Sequence, residues 1–250
     1  MAYGATPSES VATSTDRFVW LSKACIIVPA YDAGATLAAV LDDLKRVIPE
    51  RAAAIIVVDD GSRDDTAEVA RRHDVVLIRH PENRGKGAAL RTGFRAALER
   101  GFEVALTVDA DGQHPAEEAR QVLFASERAE TLVLGVRNLE RDGAPKKNRF
   151  SNGISNWFLS RFAGRELRDT QCGLRRYPIA RTLALELSGR GYDLEAEIVL
   201  FSSWSGVEIV EREVLVRYPE DRTTHFHVVR DPWRIIWTVL RAVRVHHLGR

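Results

Sequence analysis

The stretch VDADGQHP, Val108 to Pro115, sets Asp109 and Asp111 one residue apart, directly after the apolar Val104, Ala105, Leu106 and Val108. A turn needs only one carboxylate. Two at this spacing can hold a hard divalent cation through oxygen, with Gln113 as a neutral third oxygen. Mg²⁺ or Mn²⁺ keeps several waters and takes substrate phosphates, so the pattern suits a nucleotide-phosphate site better than an all-protein cage. The competing reading is an acidic loop whose Asp residues cap a helix starting near Ala116. Asp59, Asp60, Gly61 and Ser62 form a second acidic strand end. A carboxylate there can accept a hydrogen bond from a base N–H, and Gly61 lets the backbone turn sharply.

The run NRGKGAAL looks like a phosphate loop but fits neither familiar pattern. A P-loop needs Gly five residues before the Gly–Lys pair and Ser or Thr after it, where this chain has His80 and Gly87. A dinucleotide fingerprint needs Gly at the position of Leu90 and should follow the first strand, not the third. What remains is a glycine-rich loop entering a helix, with Lys86 able to reach an anion.

Alternating elements position these residues. Ala24 to Ala30, the AAIIVVDDGS run, VVLIRH, EVALTVDADG and TLVLGVR read as strands. Between them the spacing predicts helices at Ala35 to Val47, Asp65 to His73, from Gly87 to about Gly101, and Ala116 to Ala129. The fold class this implies is α/β, a mainly parallel sheet with helices on both faces. Ligands of such sheets bind beyond the carboxyl ends of the strands. Pro29 to Tyr31, Asp59 to Ser62, Asn83 to Gly87 and Asp109 to Gln113 are therefore expected along one edge. From Arg137 to Arg149 the chain reads as a polar, basic loop. A helix near FSNGISNWFLSRFAG, a mixed DTQCGLRRYP, a helix from Ile179 to Leu187, a helix over YDLEAEIVLFSSW and an extended VEIVEREVLVRYP complete the domain.

The 250 residues are 45% hydrophobic, enough for one large domain, and 36 basic against 35 acidic residues give a net charge of +1. That balance argues against a nucleic-acid partner. Cys25 and Cys172 are the only cysteines, which excludes a disulfide framework and fits a reducing, cytoplasmic setting. Residues 1–20 read as a disordered tail, 21–228 as a single catalytic domain and 229–250 as a C-terminal amphipathic helix. That last segment has five Arg against one Asp, with Trp233 and Trp237 one turn apart, as in helices that lie in a bilayer interface. No apolar run is long enough to span a bilayer, so membrane contact would be peripheral, on the cytoplasmic face.

Taken in series, IIVPAYDAGATL, VVDDGSRDDT, ENRGKGAALRTG, VDADGQHP, DTQCGLRRYP and the stretch from Leu194 to Phe226 resemble glycosyltransferase family 2. Its members are inverting transferases on a GT-A fold that use nucleotide-diphospho-sugars. Within it the likeness is to polyprenyl-phosphate sugar synthases of the dolichol-phosphate mannose synthase type. The resemblance implies that Pro29, Tyr31 and Asp59 line a base pocket with Asp60 close to the nucleoside. It implies that Asp109, Asp111 and Gln113 hold Mg²⁺ or Mn²⁺ on the diphosphate of a GDP- or UDP-sugar. Arg137, Arg149 and Arg175 would face donor or acceptor phosphates. Arg222 and His225 match a segment that closes over the donor. The chain departs from the family where Tyr-Asn-Glu often follows the first strand, reading Tyr31-Asp32-Ala33.

The implied acceptor is a polyprenyl phosphate, which needs cations but no strong base, its second pKa being ~6. A lipid or glycan hydroxyl would need a carboxylate base instead, with Glu195 or Glu197 the candidates and Asp193 beside them. Two further alternatives are a nucleotidyltransferase and a non-catalytic membrane adaptor. An integral-membrane partner would suit a chain that touches a bilayer without crossing it.

Overall fold

The computed structural model describes residues 18–185, 187–189, 191, 193–217, 236–237 and 239–244, apart from the side chains of Lys147 and Asn148. Seven strands form one sheet: β1 (Ala24–Ala30), β2 (Ile55–Asp59), β3 (Val76–Arg79), β4 (Val104–Thr107), β5 (Leu132–Arg137), β6 (Arg175–Pro178) and β7 (Ile209–Val214). Their order is β3-β2-β1-β4-β6-β5-β7. All neighbouring pairs are parallel except those made by β6, which runs antiparallel between β4 and β5. The helices are α1 (Gly34–Val47), α2 (Thr66–Arg72), α3 (Lys86–Glu99), α4 (Ala116–Leu123), α5 (Lys146–Ala163), α6 (Ile179–Leu183) and α7 (Asp193–Trp204).

Strand periodicity divides the core. In β1, Ala24, Ile26, Val28 and Ala30 face a cluster shared with α1 and α4. Cys25 and Ile27 face the opposite cluster, built with α3 and α7. Every β1 residue is buried, which is why its sequence is continuously apolar rather than alternating. Helix α7 is buried through Leu200 and is not the half-solvated helix that its acids suggest.

Several boundaries depart from expectation. Helix α4 stops at Leu123 instead of Ala129, because the following chain wraps the buried guanidinium of Arg176. That group donates to the carbonyls of Leu123, Ser126, Arg128 and Thr131 and stacks 4.7 Å over Trp20. The expected tail ends earlier than residue 20: Trp20 and Leu21 are buried in a 3-10 turn, Val19–Lys23. Residues 1–17 lie outside the described residues. Lys146 to Arg149, expected as loop, are the first turn of α5. Helix α6 ends at Leu183, short of Leu187. Most of 229–250 lies outside the described residues, but residues 239–244 are helical and bury Val239 and Ala242 in the core.

Replacing Arg176 with Met would leave those carbonyls without their charged donor. The expected loss is about 2–4 kcal/mol of folding stability, read as a lower urea midpoint. An unchanged midpoint would mean that water replaces the guanidinium at no cost.

Candidate active site

The strand ends converge as the parallel topology requires, and side chains rivet their loops together. Asp32, in a left-handed conformation at φ 47°, donates its N–H to Ser62 Oγ and accepts from Arg63 N–H through its carboxylate. Ala33 N–H donates to Thr66 Oγ1 and Gly34 N–H to Asp64. The residues that replace the family's Tyr-Asn-Glu thus bind the β1 loop to the β2 loop. Gly61, at φ 76°, turns where a Cβ would meet the backbone of Glu82 at 2.4 Å.

Asp59 and Asp60 are both buried. Asp59 Oδ1 accepts from Ser62 N–H, while Oδ2 lies 3.0 Å from Arg79 Nε without an aligned hydrogen bond. That oxygen keeps acceptor capacity. Asp60 differs: its two oxygens accept from Arg84 and Gly85 N–H and contact His80 Nδ1 at 2.6 Å, with His80 Nε2 on Thr92 Oγ1. These bonds shape the NRGKG loop. Pro29 is buried within β1 opposite Val58, and Tyr31 is half-buried just beyond it.

At the centre, Lys86 Nζ lies 2.7 Å from Asp109 Oδ1 and 3.3 Å from Glu195 Oε2. The anions that Lys86 reaches here are the protein's own carboxylates. Burial works against ionisation of Asp109, yet the Lys86 ammonium, with Arg137 and His114, holds its carboxyl below the usual range. Asp111 goes the other way. Crowding by surrounding protein, then the charge of Asp109, pushes it up to about 6, although the residue is exposed. Two close carboxylates that resist joint ionisation suit a divalent cation, which would relieve their repulsion. Gln113, half-buried beside them, supplies an amide oxygen of the right chemistry. Among the described residues no group of three or more His, Cys, Asp or Glu is placed to hold an ion by itself. The set therefore fits a cation shared with a ligand's oxygens rather than a closed protein site.

Sequence reasoning missed Gly173. A Cβ there would stand 2.3 Å from Asp109 Oδ2 and 2.6 Å from Lys86 Nζ, so only glycine admits this pair. It also missed Asp169, fully buried and paired in a two-pronged fork with Arg137 at 2.6 and 3.0 Å. Asp169 further accepts from the N–H groups of Arg137 and Gln171. The signal lay in DTQCG, an acid and a glycine following a basic segment.

Arg137 links the carboxylates to a cleft of about 380 Å³ at the end of β5. Arg137, Arg149, Arg168, Asn138, Asn152 and Asn156 line it, together with the carboxylates of Glu140 and Glu213. Arg149 holds exposed Glu140 at 3.2 Å and Arg168 holds Glu211 at 2.9 Å. Arg175 is not in this cleft. Its guanidinium is fully buried and donates to the carbonyls of Thr170, Cys172 and Glu195, so it organises backbone rather than facing a phosphate. Glu197 is likewise spent on Ser188 and Gly189, accepting from both N–H groups and from the Ser188 hydroxyl. Asp193 accepts from Gly191 N–H. Glu195 keeps a buried Oε1 with no hydrogen bond. Arg222 and His225 lie outside the described residues.

A family model described as Glycosyl transferase family 2 matches residues 25–180, which carry the whole Asp59, Lys86, Asp109 and Asp169 constellation. The chain belongs to glycosyltransferase family 2. Its relatives include an undecaprenyl-phosphate mannosyltransferase of Micrococcus luteus, 29% identical over 74% of this chain and 79% of the relative. A dolichyl-phosphate beta-glucosyltransferase of Drosophila melanogaster is 30% identical over 78% of this chain and 66% of its own length. Among solved structures, glucosyl-3-phosphoglycerate synthase from Mycobacterium tuberculosis, in complex with Mn²⁺, UDP and glucosyl-3-phosphoglycerate, superposes with TM-score 0.69. It covers 94% of this chain and 86% of its own at 17% identity, a likeness of fold. This family 2 chain is a glycosyltransferase, and the nucleotidyltransferase and adaptor alternatives fall away.

The raised value of Asp111 has a sign. A folded-state pKa of about 6 against the ordinary 3.8 means that protonation favours the folded form. This contribution is fully present below about pH 4 and lost as pH rises through about 6. Without divalent cation, Asp111→Asn should melt above the wild type near pH 7.5, and the gap should close below about pH 4. Parallel melting curves across that range would refute the assignment.

Proposed function

We propose that this chain is a metal-dependent, inverting glycosyltransferase that moves a sugar from a GDP- or UDP-sugar to a polyprenyl phosphate. The observation that supports the reading is the cleft lined by Arg137, Arg149 and Arg168 together with Glu140 and Glu213, in which Arg137 also acts electrostatically on Asp109. Such a cleft suits a phosphomonoester. The relatives named for undecaprenyl-phosphate and dolichyl-phosphate transfer support the same acceptor. The buried, incompletely bonded oxygen of Asp59 suits a base N–H at the other end of the strand edge.

The chemistry follows from these placements. Arg137, fixed by Asp169, and Arg149 would hold the acceptor phosphate, which is mostly dianionic at neutral pH and needs no base. Its oxygen attacks the anomeric carbon from the side opposite the diphosphate, and the carbon–oxygen bond to the diphosphate breaks with its electron pair. One displacement inverts the centre. Asp109, Asp111 and Gln113 would hold Mg²⁺ or Mn²⁺, which when bound supplies charge neutralisation to the leaving diphosphate. Lys86, between Asp109 and Glu195, would face the same leaving group.

A second reading, transfer to a hydroxyl, is favoured by the unpartnered Oε1 of Glu195, which could serve as a base. Glu197 does not serve it, being bonded to the 188–189 backbone.

The test combines GDP- or UDP-sugars, Mn²⁺ and a short, water-dispersed prenyl phosphate, with the glycolipid product read by mass spectrometry. Asp111→Asn should lower turnover by about 100-fold or more. Arg137→Ala should raise the acceptor KM by roughly tenfold or more. Glu195→Gln separates the readings. Turnover within a few-fold of wild type supports the phosphate acceptor, whereas its abolition with donor binding intact favours the hydroxyl. No product with any donor would sink the proposal.

A further inference from the structure

The ion pair at the centre of the site uses an oxygen that a divalent cation would need. Lys86 Nζ sits 2.7 Å from Asp109 Oδ1, with 15% of the lysine side chain exposed. An ammonium and a divalent cation on one carboxylate repel each other, in surroundings too buried for water to screen them fully. Lys86 therefore has to give up Asp109 as a cation binds there. For a largely buried ammonium that step is costly unless another anion receives it.

Glu195 has the place and the spare capacity to do so. Its Oε2 is 3.3 Å from Lys86 Nζ, a looser contact than the one to Asp109, and 5% of its side chain is exposed. Oε1 is buried and accepts no hydrogen bond. A carboxylate withdrawn from water with one oxygen unbonded is under-compensated, so a closer approach of the ammonium is favourable. The backbone is fixed at both ends of this contact. Lys86 opens α3, where Gly85 N–H donates to Asp60, and the Glu195 carbonyl accepts from the buried guanidinium of Arg175 at 2.9 Å. Movement is thus confined to the lysine side chain. Gly173 leaves it room, since a Cβ there would come within 2.6 Å of Nζ. Glu197, two residues on, already accepts three hydrogen bonds from Ser188 and Gly189 and offers no such seat.

We propose that Glu195 is a positioning residue for metal binding, receiving the Lys86 ammonium when a divalent cation takes Asp109. Lys86 is then the internal cation that Asp109 holds before a metal binds. No proton moves: the lysine stays charged and exchanges one carboxylate for another. The inference rests on the reading of Asp109 and Asp111 as metal ligands, and it gives Glu195 a task other than that of a base. Without Glu195 in reach, Lys86 would stay on Asp109 and compete with the ion.

The test is a titration of the metal-free, full-length chain with Mn²⁺, followed by loss of the free ion's paramagnetic resonance signal, beside a melting curve for every variant. Glu195→Asp keeps the charge but draws the carboxylate back by one methylene, so Mn²⁺ should bind about tenfold more weakly. Lys86→Gln removes the competing ammonium, and Mn²⁺ should bind about tenfold more tightly. In the Lys86→Gln background, Glu195→Asp should change the affinity by less than about twofold, because its effect passes through the lysine. Equal effects of Glu195→Asp in the two backgrounds would mark a direct action on the ion and overturn the inference. Wild-type affinity in both single variants overturns it as well. Where Lys86→Gln shows no cooperative melting transition, Glu195→Asp decides alone, and wild-type affinity there is fatal. Asp111→Asn separates the underlying reading. Loss of Mn²⁺ in that variant, with wild-type affinity in the Lys86 and Glu195 variants, keeps the metal site and sinks this inference alone. A chain that binds no Mn²⁺, with Lys86 or without it, sinks both.

Discussion

A carboxylate removed from water must be compensated, and this sheet edge removes several at once. Asp59, Asp60 and Asp169 are buried, and Asp109 lies close to them along the same edge. Three are matched locally, Asp60 by backbone N–H groups and His80, Asp169 by the Arg137 fork and Asp109 by Lys86, while Asp59 is matched through one oxygen and keeps the other without a hydrogen bond. Unpaired, such groups would cost several kcal/mol apiece. The loops that carry the cations are therefore held where the acids need them, and the site's geometry follows from charge balance rather than from any single loop.

The Lys86–Asp109 contact shows how far this reaches. It requires the β3–α3 loop to turn at Gly85, the chain leaving β4 at Thr107 to place Asp109 beyond the strand, and a residue without a Cβ at Gly173. Three segments distant in sequence meet at one ion pair. Asp111 alone is left without a cation of its own and is raised to about 6, which makes it the carboxylate with most to gain from a divalent ion. The imbalance is what a site completed by its substrate looks like.

Antiparallel β6 extends the same logic to the other half of the chain. By inserting between β4 and β5 it carries Asp169 and Gly173 up to the edge and sinks Arg175 and Arg176 into the two faces of the core. Adjacent arginines on a strand point opposite ways, and both are consumed by carbonyls. The arginines that face the cleft come instead from the end of β5, from α5 and from Arg168.

The sequence by itself determined β1 to β5, the parallel half of the sheet and the edge at which the acids gather, because these follow from local periodicity and from the rule that strand ends in parallel sheets face one way, whereas β6 lay in a segment without clear periodicity. It also determined Asp109 and Asp111, whose spacing is local. Only the tertiary structure decided which cation meets which acid. Arg175 and Arg137 are alike in a linear reading, as are Glu195 and Glu197, yet one of each is spent on backbone and the other is not. A side chain's type is written in the sequence, whereas its partner is chosen by packing between segments that local pattern does not connect.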